Sequence, residues 1–157
     1  GYYGDAMKPC TCAPALVTKY QKRISGPLLD RIDIHIEVPR VDYEKLSADR
    51  IGESSEAIRQ RVQTARDIQQ KRFSNNESTD IICNADMRVG EIRQYCKLQD
   101  EGQSLMRAAM TQLNLSARAY HRILKLARTI ADLAGCEEIQ SVHLAEALQY
   151  RPKLMLS

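Results

Sequence analysis

The sequence predicts a mainly α protein, a helical bundle preceded by a loop-and-strand piece. Three observations carry that expectation. From residue 53 onward, apolar residues recur at helical spacing over most of the chain. One Phe and no Trp leave the core to Leu, Ile, Val, Ala and Met, which suits helices packing through aliphatic stripes. Only Ile32, Ile34, Ile36 and Val38, alternating with Asp33, His35 and Glu37, show the period of two of a half-buried strand.

The elements follow in order. Residues 1–13 are rich in Gly, Pro, Cys and Thr, have no period and read as loop. Residues 14–23 suit a short helix. Ser25-Gly26-Pro27 then breaks the chain, and Leu28 and Leu29 give one short buried turn before the strand at 33–38. Pro39 ends that strand. Residues 53–73 read as a long helix with Ile58, Val62, Ala65 and Ile68 on one face. A polar loop spans 74–80. Asp86 is placed to cap a short helix through Tyr95, and Asp100 with Gln103 suggests a capping-box variant opening a helix through Leu113. The clearest helix follows Ser116. Its apolar face comprises Tyr120, Ile123, Leu124, Ala127, Ile130, Ala131 and Ala134, and Gly135 is its stop. A last helix runs from Ser141 to about Tyr150, before Pro152. The organisation is asymmetric: a loop-and-strand piece over 1–44, then helices over 45–157.

Composition sets bounds. The 157 residues suffice for one core of ordinary size, and 43% hydrophobic with 27% charged residues is a soluble globular balance. A net charge of +3 is compatible with nucleic acid or nucleotide without requiring either. Five irregularly spaced cysteines argue against a secreted disulfide framework. No apolar run reaches membrane-spanning length, so a reduced, cytoplasmic setting with no membrane partner is expected. A start at Gly-Tyr-Tyr suggests a piece of a longer protein.

Three constellations could carry chemistry. With Ser116 as N-cap, Arg118 falls at the second helical position, Arg122 one turn later, and Lys125 on the same face. Positive charge in a first turn opposes the helix macrodipole, and no acidic residue lies between Glu101 and Asp132 to offset it. A bound anion would resolve the conflict; a merely solvated face would tolerate it. Arg31, at the entry to the strand, could be aimed at a phosphoryl group across a subunit boundary, or could pair locally with Asp30 or Asp33. Arg23 is a weaker candidate for the same work. Cys10 and Cys12 form half of a metal site, but zinc needs four ligands, and no complete metal site is expected within this chain. The chain holds no Gly-x-x-x-x-Gly-Lys-Ser/Thr loop, so it has no phosphate cradle of that kind.

Gly1-Tyr2-Tyr3-Gly4-Asp5, Cys10-Thr11-Cys12 and Ile24-Ser25-Gly26-Pro27-Leu28-Leu29-Asp30-Arg31-Ile32-Asp33-Ile34 resemble the later half of the magnesium-chelatase-like AAA+ ATPases. Leu115-Ser116-Ala117-Arg118-Ala119-Tyr120-His121-Arg122 and His143-Leu144-Ala145-Glu146-Ala147-Leu148 resemble the same family, so the similarity spans nearly the whole chain.

The resemblance implies an AAA+ C-terminal lid over 45–157, preceded at 1–44 by a remnant of the α/β core, poorly ordered alone. It implies that Arg31 is an arginine finger and that Arg118 is the sensor-2 arginine; Arg122, one turn on along the same basic face, is expected beside the same nucleotide. It further implies a parent that binds ATP and magnesium, forms a homo-hexamer and remodels DNA in competence or recombination as a helicase or branch-migration motor. Zinc, if bound, would need the parent's Cys-Pro-Cys element to join Cys10 and Cys12. The piece by itself, without Walker motifs, is expected to be inactive and to hold no cofactor. The alternative is a basic helical module that binds nucleic acid or protein and has no nucleotide role.

Overall fold

The computed structural model describes residues 1–5, 7–38, 41, 52–74 and 80–151. The chain divides into two compact units, Gly1–Ile32 and Asp33–Ser157. The expected boundary at 44/45, the stop at Pro39, most of the polar loop at 74–80 and Pro152 lie outside the described residues.

The first unit holds two short helices, α1 (Pro14–Gln21) and α2 (Gly26–Leu29), each opened by a proline in its first turn. None of its described residues is buried. Leu28 is exposed, contrary to the expectation of a buried turn. So short a segment lacks the volume to enclose a core.

The second unit carries the core. Its helices are α3 (Ser55–Phe73), α4 (Val89–Tyr95), α5 (Asp100–Gln112), α6 (Ala117–Leu133) and α7 (Ser141–Gln149), with a 3-10 turn at Asn84–Asp86 before α4. Phe73, Met87, Ile92, Met106, Ile123 and Leu144 are among the side chains that pack into one cluster. Phe73 meets Tyr95 edge to face, ring centroids 5.6 Å apart. The long helix α3 buries only its C-terminal half: Ala65, Gln69 and Phe73 are inside, while Ile58 and Val62 are exposed.

The helix ends obey local chemistry. Ser54 caps α3 and Ser116 caps α6 through their hydroxyls. At the end of α5, Asn114 takes φ 46° and the Leu115 amide donates back to the Met110 carbonyl at 3.2 Å. At the end of α6, Gly135 takes φ 68° and the Cys136 amide donates to the Ala131 carbonyl at 2.9 Å. Both are left-handed terminations that satisfy orphan carbonyls. Two capping expectations need correction. Asp86 does not cap α4; its carboxylate accepts from the Ile82 and Cys83 amides, and α4 starts at Val89. Asp100 is already inside α5, whose cap is Gln99, and Gln103 turns back to the Leu98 carbonyl.

The strand expectation is also overturned. Among the described residues there is no strand, only an isolated parallel bridge between Leu98 and Ile139. Residues 33–38 form no regular element, and their pattern is inverted relative to the expected buried face. Ile34, Ile36 and Val38 are exposed, at 48%, 69% and 84%, while Asp33 and His35 are half-buried. A strand needs a neighbour to receive its amides and carbonyls. Here the His35 amide donates to the Tyr150 carbonyl at 2.9 Å, so the polar residues dock and the apolar ones are left outside.

Candidate functional site

Helix α6 is the spine of the second unit, and its four cations meet different fates. The Ser116 hydroxyl accepts from the Ala119 amide at 3.1 Å, which fixes the helix start and places Arg118 at the second helical position. Arg118 is exposed, no acidic residue stands in the first turn, and among the described residues its guanidinium makes no hydrogen bond or ion pair. Free amides and a guanidinium at one helix start form an anion-seeking end.

Arg122 does not stay with Arg118. It grips Asp33 in a two-pronged pair, Nε to Oδ1 at 2.6 Å and Nη2 to Oδ2 at 2.7 Å, with both side chains partly exposed. Lys125 donates to the Ala85 carbonyl at 2.8 Å. The basic face read from the sequence is thus divided: Arg122 holds the segment at Asp33, Lys125 holds the 3-10 turn, and Arg118 is exposed.

Arg128 is the residue that sequence reasoning missed. It is buried, pairs with Asp132 one turn on, and donates to the carbonyls of Glu137 and Cys136, both at 2.6 Å. Arg72 of α3 reaches the same Asp132, with Nη1 at 2.8 Å from Oδ2. Asn84 completes the cluster, donating to Asp132 at 2.8 Å and to Thr129 at 3.1 Å and accepting from Arg72. Every member is satisfied, which is the condition for burying charge at tolerable cost. The available signal was Asp132 itself, the sole acid between Glu101 and Glu137, set four residues after an arginine on an apolar face.

Arg31 and Arg23 lie in the first unit. Arg31 is exposed, with Nη1 donating to the Pro27 carbonyl at 3.1 Å, and Arg23 sits over the Tyr20 ring at 5.5 Å. Cys10 and Cys12 are half-buried beside a cavity of about 620 Å³ that Tyr3, Leu16 and Tyr20 also line. Hydrogen bonds from the backbone of Cys12 and then Tyr2 hold the Cys10 thiol below its ordinary value. Among the described residues, no group of three or more His, Cys, Asp or Glu could hold a metal ion. Nor is any described helix long and apolar enough to cross a membrane.

Residues 52–151 match the family described as magnesium chelatase, subunit ChlI C-terminal, and residues 1–46 match magnesium chelatase, subunit ChlI. The chain belongs to this magnesium-chelatase-like family. It is 43% identical over 146 residues to competence protein ComM of Haemophilus influenzae, covering 92% of this chain and 27% of that protein. It is 41% identical over 152 residues to the uncharacterized protein YifB of Escherichia coli, covering 96% of this chain and 28% of that one. A Mycobacterium tuberculosis relative is 32% identical over 142 residues, covering 90% of this chain and 27% of its own length. The chain therefore spans just over a quarter of the curated relatives it matches.

Proposed function

We propose that this chain acts as the lid-bearing portion of a longer AAA+ motor of the magnesium-chelatase-like family and supplies arginines for ATP hydrolysis. The single observation that carries the reading is Arg118. It stands at the second position of α6, against the helix dipole, with no acid in the first turn and no partner among the described residues. A nucleotide phosphate is an anion that fits a guanidinium beside free helix amides. In this role Arg118 contacts the phosphates and couples their loss to movement of the lid. Arg31 serves as the finger toward a neighbouring subunit's nucleotide, with Arg23 the alternative. The parent supplies the phosphate loop, holds ATP with magnesium, assembles as a homo-hexameric ring in the cytoplasm and remodels DNA. Cys10 and Cys12 contribute two thiolates to a zinc site that upstream cysteines complete. This chain alone does not turn over ATP.

Arg122 takes a different part from the one its position suggests. Its pair with Asp33 commits it to holding the segment at 33–38, so its contribution to nucleotide binding is indirect. The same commitment weakens the alternative of a continuous nucleic-acid face, which would need Arg118, Arg122 and Lys125 together.

The test is steady-state ATP hydrolysis by the whole protein. Arg118→Ala is expected to lower turnover about ten- to a hundredfold, the worth of a charge-assisted hydrogen bond, with unchanged melting. Arg31→Ala is expected to cost about a thousandfold, and mixed rings should lose activity out of proportion to the variant fraction. Full turnover by Arg118→Ala, or salt-sensitive DNA binding by this chain that disappears with Arg118→Ala, would overturn the reading.

A further inference from the structure

A groove of about 640 Å³ runs along the second unit between α4, α5 and α6, reaching the first turns of α6 at Tyr120 and His121; Arg118 is not among its lining residues. Its floor is aliphatic: Ile92, Leu98, Met106, Met110 and Leu124 line it. Cys96 lies in the same floor, and burial pushes its thiol up to about 11, as expected for a wall of low polarity. Three cations rim the groove, Arg93 and Lys97 on one wall and Arg107 on the other. All three are exposed, and among the described residues none makes an ion pair or a side-chain hydrogen bond. No Asp or Glu is among the lining residues. An apolar trough flanked on both sides by uncommitted positive charge is complementary to one kind of occupant.

We propose that this groove docks an acidic amphipathic helix of a partner protein, with apolar side chains one helical turn apart entering the floor and flanking carboxylates meeting Arg93, Lys97 and Arg107. Two methionines one turn apart, Met106 and Met110, give the floor the adaptable surface that suits a helical guest. The volume suits a few side chains rather than a whole domain. A single nucleic-acid strand has the same charge but a different need. It requires aromatic platforms for its bases, and this floor offers aliphatic side chains with Tyr120 as its one aromatic ring other than a histidine.

The probe is a fluorescein-labelled synthetic amphipathic peptide with leucines at i, i+3, i+4 and i+7 and glutamates along both flanks, titrated into the 157-residue chain. Anisotropy should saturate, and the methyl resonances of Met106 and Met110 should shift with it. Arg93→Glu with Arg107→Glu is expected to weaken binding about tenfold or more, and replacing the peptide's glutamates by lysines should restore it. That restoration also shows that the variant is folded; Lys97→Glu alone should give a smaller loss in the same direction. Failure of the methionine methyls to move, binding indifferent to the charge exchange, or tighter binding of an oligothymidylate to the same methyls would overturn the proposal.

Discussion

The two ends of α6 carry the same residue type and use it in opposite ways. At the C-terminal end, Arg128 is buried, pairs with Asp132 and donates to two carbonyls, in line with the helix dipole. At the N-terminal end, Arg118 is exposed, opposes the dipole and has no partner among the described residues. The first arginine is explained by the fold. The second opposes the helix dipole, and nothing among the described residues offsets it. The comparison teaches that burial and partners, rather than residue type, separate an arginine the fold uses from one it leaves exposed.

The largest effect should come from the buried end. Asp132→Asn leaves Arg72 and Arg128 without their counter-charge, and the cost of an uncompensated buried charge is about 3–5 kcal/mol. A fall in melting temperature of about 10 °C or more is expected by calorimetry. A loss below about 1 kcal/mol would show that the cluster is hydrated and that the two ends differ less than they seem to.

At the exposed end the sign should reverse. Arg118→Glu places an acid at the second helical position and should stabilise this chain by about 0.3–1 kcal/mol in urea melts; under the role proposed for Arg118 it should also abolish ATP turnover by the whole protein. Destabilisation instead would mean that Arg118 has a structural partner after all.

Between these ends, Arg122→Ala removes the pair with Asp33. Both side chains are partly exposed, so the global loss should be at most about 1 kcal/mol. The local effect should be sharper: hydrogen exchange at the His35 amide, which donates to the Tyr150 carbonyl, should quicken while the core of α6 is unchanged. Uniform quickening would place Arg122 in the core class with Arg128.

The smallest effect concerns Asp86, close to where Lys125 grips the 3-10 turn. The Cys83 amide and thiol and then the Ile82 amide hold its carboxyl below the ordinary value of 3.8. A depressed folded value means that its contribution is present above pH about 4 and is lost as pH falls through the folded value. Carboxyl NMR should show Asp86 titrating below that ordinary value in wild type and moving lower still in no variant that removes Lys125.

Much of the helical unit was legible in the sequence. The start of α6 followed from Ser116, its end from Gly135, and its apolar face from spacing, because caps and periods are local properties of the chain. The placement of Arg118 followed from the same local rule. The segment at 33–38 misled because alternation reports which residues share a face but not which face is covered. Ile34, Ile36 and Val38 needed a neighbour, and the neighbour that came was Tyr150, which took His35. The Met-floored groove was not legible, since residues 92 to 124 meet only when three helices pack.

The sequence by itself determined the main helices, the cap and stop of α6, the family and the uncompensated charge at the start of α6. Those depend on neighbours within about one turn, or on similarity along the chain. Only the tertiary structure decided that Arg122 serves Asp33, that Arg128 serves Asp132, and that Arg118 serves neither. Partner choice among arginines is a matter of distance in space, and Asp33 lies 89 residues from Arg122 in the chain.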